Sequence, residues 1–283
     1  ITARPASFAL SRVQRKGCRL STPAQVWSYR TLIVNLAQRE LKSRYKRSLL
    51  GWMWSLINPA VTLGVYTVVF GVFFGAQAPV AGNGESTVFA LWLFCGLVMW
   101  NLFSGVINTA ISSFSGAGGL LTRTYFPPEC PMIAGLITVI IQALLEGGIL
   151  IFFMVVIGNL SFTMLLILPL FVLMSCFAFG IGLVLGLMNI RYRDVFYLTG
   201  IAMQVLFYAT PIVYQMSILS PTAQAILRFN PLTSYVGAIR QVAYFLDFPT
   251  PGSWMVMISS AAVSLVGGWI IFSRWAPTVI EEL

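Results

Sequence analysis

The sequence has no histidine and very few charged residues. Charged side chains make up 9% of the 283 residues, whereas a soluble domain carries about 25%. So few charges could not cover a surface that faces water. The hydrophobic share of 58% and the mean hydropathy of +0.86 therefore predict an integral membrane protein. The missing histidine excludes Ser-His and Cys-His catalysis, histidine proton relays and nearly every zinc site.

Nucleotide-binding and metal-binding motifs are also missing. The only lysines are Lys16, Lys42 and Lys46, and none belongs to a G-x-x-x-x-G-K phosphate-binding loop. The four cysteines show no C-x-x-C spacing, which disfavours a metal site or a disulfide framework. The eight acidic residues are dispersed, unlike the clustered acids that a sugar transferase needs. We expect no catalytic residue, metal or cofactor in this chain, and no binding to nucleic acid.

Long stretches without charge divide the chain into predicted membrane spans. Residues 48–84 and 86–122 carry no charge, and residues 130–190 carry only Glu146. About 20 apolar residues cross a bilayer core of about 30 Å, and backbone in that core must form its own hydrogen bonds, which favours helices. We predict an all-α protein with six spans, near residues 50–75, 87–112, 132–157, 163–188, 195–214 and 254–274.

The basic residues predict the orientation of these spans. Six spans place both termini on one side, which then holds 15 of the 17 basic residues. The exceptions are Arg228 and Arg240. Because basic residues accumulate on the cytosolic side, both termini are predicted to lie in the cytosol, below a bacterial plasma membrane.

The first 47 residues differ from the rest of the chain. Residues 1–26 form a basic, serine-rich arm without an acidic residue, which suits a cytosolic segment near anionic lipid and also resembles a transit peptide. The pattern of residues 27–47 predicts an amphipathic helix at the membrane interface. Residues 48–283 are predicted to form the transmembrane domain. The predicted apolar stripe contains Trp27, Val34, Ala37, Leu41 and Tyr45, opposite Arg39, Lys42 and Lys46.

Residues 215–253, between the fifth and sixth predicted spans, are neither a span nor an ordinary polar loop. Ser220 followed by Pro221 is typical of a helix start, and Asn230 with Pro231 interrupts that helix. We predict two short helices over residues 217–246, which form an extracytoplasmic hairpin that re-enters the outer leaflet. Irregular backbone at that depth must be packed in protein or line a wet cavity, which favours transport over simple anchoring.

Four stretches of the chain resemble type-2 ABC exporter permeases for polysaccharides. They are LAQRELKSRYKRSLLGWMWSLINPAVTLGVYTVVFGVFF from Leu36, LLTRTYFPPECPM after the second predicted span, MNIRYRDV before the fifth and ILRFNPLTSYVGAIRQVAY before the sixth. The resemblance covers residues 30–275 and is to Wzm-like subunits, which export O-antigen, teichoic acid or galactan. It implies a homodimer of this chain with two copies of a Wzt-like nucleotide-binding subunit. That subunit would bind ATP and Mg²⁺ and drive a lipid-linked polysaccharide between the two permeases.

The resemblance assigns the connection between the second and third spans to coupling with the ATPase. Three prolines stiffen residues 121–132, and two aromatic residues, expected to be exposed, lie there between opposite charges, as in an interface anchor with a polar rim. The alternative is a proline-rich turn that restarts a helix. The predicted coupling residues are Arg123, Tyr125, Phe126 and Glu129, with Arg39, Lys42, Arg44 and Tyr45 of the interface helix as a second contact.

Aromatic side chains are candidates for contact with the polysaccharide, because sugar rings present C–H faces that pack on aromatic rings. Phe, Trp and Tyr make up 14% of the chain. For each candidate the alternative is contact with lipid or a position at the membrane interface. The pathway candidates are Tyr66, Phe70, Phe73, Phe74, Trp92, Trp100 and Phe103.

Glu146 is the only ionisable residue inside a predicted span. A carboxylate is costly there unless it faces protein or water. A hydrogen bond with Gln142 or with a neighbouring span would explain it, and so would contact with the substrate.

Charged residues at the ends of spans are predicted to have structural or gating roles. Arg193 and Asp194 are expected to hold the cytosolic end of the fifth span against the interface helix, or to form only a solvated pair. Arg228 and Arg240 suit the phosphates of lipids or of a sugar diphosphate, and Asn230 shapes the hairpin.

The composition also bears on the substrate. Only three of the 17 basic residues are lysine, which, with the frequent alanine and glycine, is typical of a high-GC genome. Among the substrates of the family this favours a galactan linked to polyprenyl diphosphate, with O-antigen as the alternative.

Two other functions stay open. An exporter of drugs or small lipids would use a closed pocket, and a membrane scaffold would lack an ATPase partner.

Overall fold

The computed structural model describes residues 23–45, 51–85, 87–121 and 126–281, which contain helices and no β-strand. Most of the basic arm, with Arg123 and Tyr125, lies outside these residues. In chain order the α-helices are α1 (Pro23–Ser28), α2 (Arg30–Tyr45), α3 (Trp54–Tyr66), α4 (Phe89–Leu121), α5 (Glu129–Val156), α6 (Ile167–Arg191), α7 (Asp194–Tyr208), α8 (Pro221–Arg228), α9 (Pro231–Arg240) and α10 (Pro251–Glu281). Helix α3 continues as a π-helical turn at Thr67–Phe73, and α6 is preceded by a 3-10 turn at Phe162–Leu166.

Five helical segments among the described residues are long and apolar enough to cross a membrane. They are Leu56–Phe73, Phe89–Phe114, Glu129–Val156, Phe162–Arg191 and Pro251–Ala276. These segments coincide with the first four predicted spans and the sixth, so the structure supports an all-α membrane protein. The fifth predicted span contains α7, which has 15 residues and extends about 22 Å at 1.5 Å per residue. The six-span count therefore stays a prediction.

Helix α4 lies at the centre of the bundle. Residues 91–99 are all buried, and α4 packs along both α5 and α6. The side chains of Leu93, Val98 and Ile107 have no exposed surface. Helices α3 and α7 contact this core only weakly and leave most of their apolar side chains exposed. The bundle thus has a packed centre and one side at which α3 and α7 are only partly covered.

Helices α6 and α10 cross with their backbones in direct contact. A Cβ atom at Gly180 would collide with the carbonyl oxygen of Ser264, and one at Gly268 would collide with the carbonyl oxygen of Gly180. The Ser264 hydroxyl donates a hydrogen bond to the Phe177 carbonyl at 2.7 Å. Small residues at such crossings let transmembrane helices approach closely enough for dispersion and hydrogen bonding to hold them.

The N-terminal segment forms two helices, α1 and α2, where the sequence predicted one. They pack on the start of α5, in a cluster of buried residues that contains Val26, Ile33, Ala37, Phe126, Cys130 and Ala134. Of the predicted apolar stripe, Ala37 is buried in this cluster, whereas Trp27 and Val34 are exposed. The segment therefore has two apolar faces, one against α5 and one that contains Trp27.

The segment between α7 and α10 contains two short helices, as predicted. The Ser220 hydroxyl accepts a hydrogen bond from the Ala223 amide at 3.4 Å, and Pro221 begins α8. The Asn230 side-chain oxygen accepts one from the Leu232 amide at 3.1 Å, which caps α9. Helix α9 then continues as a π-helical turn at Gln241–Phe245. Re-entry of this hairpin into the membrane stays a prediction.

Candidate functional site

A series of aromatic contacts connects α3, α7, α4, α6 and α9, and we call it the aromatic ladder. Its ring-centroid distances are Phe74–Phe70 5.8 Å, Phe70–Tyr66 6.0 Å, Tyr66–Phe207 5.8 Å, Phe207–Trp100 5.3 Å, Trp100–Phe103 5.8 Å, Phe103–Phe177 5.7 Å and Phe177–Tyr235 5.7 Å. Stacked and edge-to-face pairs at these distances are attractive. The ladder runs from the exposed end of the π-helical turn after α3 into the fully buried centre of the bundle.

The ladder brings together five of the seven predicted pathway residues: Tyr66, Phe70, Phe74, Trp100 and Phe103. Phe73 is 76% exposed and lies outside the ladder. Trp92 and Phe103 are each 2% exposed, because α4 is enclosed by its neighbours, so neither presents a ring face to a polymer in this conformation. The pathway assignment therefore depends on the half-buried or exposed rings, chiefly Tyr66, Phe70 and Trp100.

Three ladder residues, Phe177, Phe207 and Tyr235, were missed by the sequence analysis. Phe207 connects α3 to α4, because its ring contacts both Tyr66 and Trp100. The sequence held one usable signal, the Phe207–Tyr208 pair at the end of the fifth apolar stretch. Phe177 and Tyr235 look like ordinary core residues in the sequence, and Tyr235 donates a hydrogen bond to the Met257 carbonyl at 2.8 Å.

Arg240 is buried rather than placed at a lipid surface. Its guanidinium donates hydrogen bonds to the carbonyls of Pro211 at 2.7 Å and Ile212, with a longer one to Trp92 at 3.4 Å. It also lies 3.6 Å from the centroid of the Trp92 ring, a cation–π contact. The guanidinium of Arg240 thus joins α9 to α4 and to the turn after α7. It is therefore not available for the predicted contact with phosphate in this conformation. Trp92 has a structural role beside it.

At one end of the bundle, the side chain of Asn159 holds together three segments that connect helices. Its side-chain nitrogen donates to the carbonyls of Ala243 at 3.1 Å and Tyr244 at 2.9 Å, and its side-chain oxygen accepts from the Asn83 amide at 3.0 Å. The Asn83 side chain in turn donates to the Ile157 carbonyl at 3.0 Å. The loop before α4, the turn after α5 and the end of the hairpin thus lie together, as the alternating direction of the predicted spans requires.

Glu146 is 1% exposed and lies between α5 and α4. Its two carboxylate oxygens accept hydrogen bonds from Asn101 at 3.0 Å and Gln142 at 3.2 Å. The hydrogen bond with Gln142 is one of those that the sequence predicted, and Asn101 provides the contact with a neighbouring span. Among the described residues, no three His, Cys, Asp or Glu side chains come together as metal ligands.

The predicted coupling residues divide into a buried and an exposed group. Phe126 and Glu129 are 8% and 3% exposed, so the expectation that Phe126 is exposed is wrong, because α1 and α2 cover it. Arg39 and Lys42 are exposed on α2. The side chains of Arg44 and Tyr45 lie outside the described residues, as do Arg123 and Tyr125. The coupling role of this group stays a prediction.

The remaining charged candidates lie on the surface. Arg193 and Asp194 are exposed at the start of α7, and Arg228 is exposed at the end of α8. The predicted contact of Arg193 and Asp194 with the interface helix, and the phosphate contact of Arg228, stay predictions. Asn230 has a defined role, since its side-chain nitrogen donates to the Thr210 hydroxyl at 3.0 Å and so ties the hairpin to the turn after α7.

Long apolar helices around a packed centre define a helical membrane protein. Comparison with known families makes this specific. The chain belongs to the ABC-2 type transporter family, which matches residues 31–244. Members of this family work with an ATP-binding subunit in an exporter.

Relatives with known names share most of the chain. It is 27% identical over 248 residues to the O-antigen export system permease protein RfbA of Myxococcus xanthus, covering 87% of this chain and 91% of that protein. It is 26% identical to the protein of the same name from Klebsiella pneumoniae, covering 75% of this chain and 79% of that protein. The polysialic acid transport protein KpsM of Escherichia coli is 20% identical, with coverages of 72% and 77%.

Proposed function

We propose that this chain is the membrane subunit of an ATP-driven exporter that moves a lipid-linked polysaccharide from the cytosol across the bacterial plasma membrane. The observation that carries the proposal is the aromatic ladder, in a chain whose relatives are named for O-antigen and polysialic acid transport. The C–H faces of sugar rings pack on aromatic rings. Tyr66, Phe70 and Trp100 supply such rings at the side of the bundle where α3 and α7 are only partly covered.

A homodimer would complete this pathway. Helices α3 and α7 expose large apolar side chains, among them Val61, Val65, Ile201 and Val205. Contiguous apolar surface of this kind marks contact with lipid or protein. In the proposed assembly a second copy faces this side, and the polymer passes between the two copies along the exposed ladder rings.

Two copies of an ATP-binding subunit would act from the cytosolic side, where both termini are proposed to lie. The connection between α4 and α5 and the exposed charges of α2 form the proposed contact, with ATP and Mg²⁺ bound by that subunit. For the cargo we propose a galactan on a polyprenyl diphosphate, with O-antigen as the alternative. This choice rests on composition alone.

The test is complementation in a bacterium that lacks its own polysaccharide permease. The chain is expressed with the ATP-binding subunit encoded beside its gene and the matching glycosyltransferases. Polymer at the cell surface is measured with an antibody, and lipid-linked polymer in the cytosolic fraction by gel and glycan analysis. Surface polymer that depends on ATP hydrolysis is the expected result. Normal intracellular accumulation without export, together with efflux of dyes or short lipids, would assign the chain to the drug or small-lipid class instead.

A further inference from the structure

An open apolar groove with a volume of about 670 Å³ lies between α5 and α6. Both helices pack along α4 but contact each other only weakly, so a space is left between them. On the α5 side the groove is lined by Leu144, Gly148 and Ile151, and on the α6 side by Leu165 and Leu168. The helical segments on both sides are long and apolar enough to cross a membrane, which places the groove in the hydrocarbon layer.

The groove is about as deep as one leaflet of the bilayer. Near its inner end the ring of Phe171 packs against Gly147, where a Cβ atom would lie 3.1 Å from the ring. Gly147 lies nine residues before the end of α5 at Val156, or about 14 Å at 1.5 Å per residue. This is about half of a hydrocarbon core of about 30 Å. The groove therefore extends from the end of the bundle that contains Asn159 to the middle of the membrane.

The lining of the groove is apolar except at its outer end. Its floor consists of Met164, Ile167 and Phe171, which are 6%, 3% and 4% exposed. Among the described residues that line the groove, Ser161 is the only one with a polar side chain, and it lies two residues after Asn159 at the outer end. The groove thus offers contact for hydrocarbon along its length and a polar group only at the membrane surface. This is the polarity of a lipid molecule.

The shape of the groove distinguishes a lipid from a further helix. Apolar cavities stay dry but take up hydrocarbon ligands, because an unfilled space deprives the side chains around it of dispersion contacts. A volume of about 670 Å³ over a length of about 14 Å gives a mean cross-section of about 48 Å², which is about half that of an α-helix 10–12 Å across. A helix would therefore not fit inside the groove, whereas flexible hydrocarbon chains would.

We propose that this groove binds the hydrocarbon tail of one phospholipid molecule from the adjacent leaflet, with the headgroup beside Ser161. The bound lipid is a structural ligand, since it fills the space between α5 and α6 next to the turn that Asn159 holds in place. Lipid of the surrounding bilayer contacts only exposed side chains, such as Phe152 and Val156. None of the lining residues belongs to the aromatic ladder, so the proposal does not depend on the cargo that is exported.

The first test labels the assembled transporter in vesicles of phosphatidylethanolamine and phosphatidylglycerol. The vesicles contain a trace of phosphatidylcholine that carries a diazirine near the end of one acyl chain, and mass spectrometry locates the labelled residues after irradiation. A tail in the groove should label the floor, at Met164, Ile167 or Phe171, which lipid of the surrounding bilayer does not reach because these side chains are buried.

Two results of this labelling would contradict the proposal. The first is label that is confined to exposed side chains, such as Val263 of α10, since the groove would then hold no tail. The second is a floor that is labelled by a diazirine-bearing polyprenyl phosphate but not by the phospholipid, since the groove would then serve the lipid anchor of the cargo.

The second test fills the groove with a side chain. A Cβ atom at Gly148 would have no neighbour within 4 Å, so the leucine of Gly148→Leu can enter the groove without displacing the backbone. The matched control, Gly267→Leu, makes the same substitution on α10, where a Cβ atom also has no neighbour within 4 Å. Native mass spectrometry counts the phospholipid retained by the purified transporter, and Tm is measured after delipidation, with and without added phospholipid.

The wild type and Gly267→Leu should retain one phospholipid per chain, and added phospholipid should raise their Tm by on the order of 5 °C, because a ligand that binds the folded state stabilises it. Gly148→Leu should lose the retained phospholipid and at least half of the rise in Tm. Retention at the wild-type level in Gly148→Leu would overturn the proposal, as would a wild type that retains none. If Gly148→Leu does not fold, the labelling of the wild type decides.

Discussion

Trp100 and Phe103 are neighbours in the aromatic ladder, but we expect their truncation to have different effects. Trp100 is half-buried, whereas Phe103 is 2% exposed and packs between Trp100 and Phe177. Phe103→Ala leaves a cavity in the core, which costs about 3–5 kcal/mol, and should lower the amount of folded protein. Trp100→Ala should leave that amount near the wild-type level and reduce export.

The measurement for this pair normalises surface polymer to the amount of folded permease in the membrane, assayed by fluorescence-detected gel filtration. Phe73→Ala serves as the control, because its ring is exposed outside the ladder. Normal export per folded molecule in Trp100→Ala would show that this ring faces lipid and would remove it from the pathway.

Arg240 and Glu146 show what a sequence can and cannot indicate about single residues. An isolated charge in an apolar chain is a strong signal that the residue matters, and both residues were selected on that ground. The hydrogen bond of Glu146 with Gln142 could be predicted because the two residues are one helical turn apart. Trp92, which contacts Arg240, is 148 residues away in the chain. No local pattern identifies such a partner, so a phosphate contact was predicted instead.

The contact of α1 and α2 with the start of α5 leads to a test of coupling. Phe126 is buried in this contact, whereas Tyr125 precedes it in the predicted coupling segment. Phe126→Ala should loosen α1 and α2 and lower Tm, since a buried aromatic side chain is lost. Tyr125→Ala should leave Tm within about 1 °C of the wild type but reduce the stimulation of ATP hydrolysis by the polysaccharide in the assembled exporter.

The two readouts for this pair are Tm in detergent and ATPase activity with and without substrate. Wild-type stimulation in Tyr125→Ala would exclude the loop as the element that transmits ATP binding. Arg39 and Lys42 of α2 would then be the next residues to change.

The crossing of α6 and α10 provides a prediction with an adjacent control. A Cβ atom at Gly268 would collide with the backbone of Gly180, whereas one at Gly267 would have no neighbour within 4 Å. Gly268→Ala should therefore separate the two helices and destabilise the protein by about 1–3 kcal/mol, as overpacking does. Gly267→Ala should be neutral or slightly stabilising, because alanine favours helix. Tm of the two purified variants tests this, and equal values would show that the helices can move apart without cost.

Helix boundaries were predictable where the signal is local. Ser220 with Pro221 and Asn230 with Pro231 specify helix starts through their own side chains and rings, and the structure has α8 and α9 there. The end of α7 at Tyr208 was not predicted, because the fifth predicted span was extended to residue 214 although Pro211 is a local signal for an earlier end of the helix. The turn depends on Thr210, whose hydroxyl donates to the Leu206 carbonyl at 2.8 Å and accepts from the distant Asn230.

At the scale of the whole molecule, the meeting of three connections around Asn159 leads to a test of orientation. These connections are expected to lie outside the cell, on the same side as the hairpin. In a chain whose native cysteines are replaced, Ser217→Cys should react with an impermeant maleimide in intact cells. Arg193→Cys should react only after the membrane is permeabilised. Reaction of both residues from outside would contradict the predicted topology.

The crossing of α6 with α10 also has a consequence for how the chain is made. Gly180 leaves the ribosome 88 residues before its partner Gly268, which corresponds to a delay on the order of 10 s at 5–20 residues per second. During that time the surface of α6 around Gly180, against which α10 will pack, has no partner helix, although the neighbouring helices α4 and α5 are already inserted. A chain that stops before α10 would therefore keep this surface exposed in the bilayer. Membrane proteases could use it to distinguish unfinished copies from complete ones.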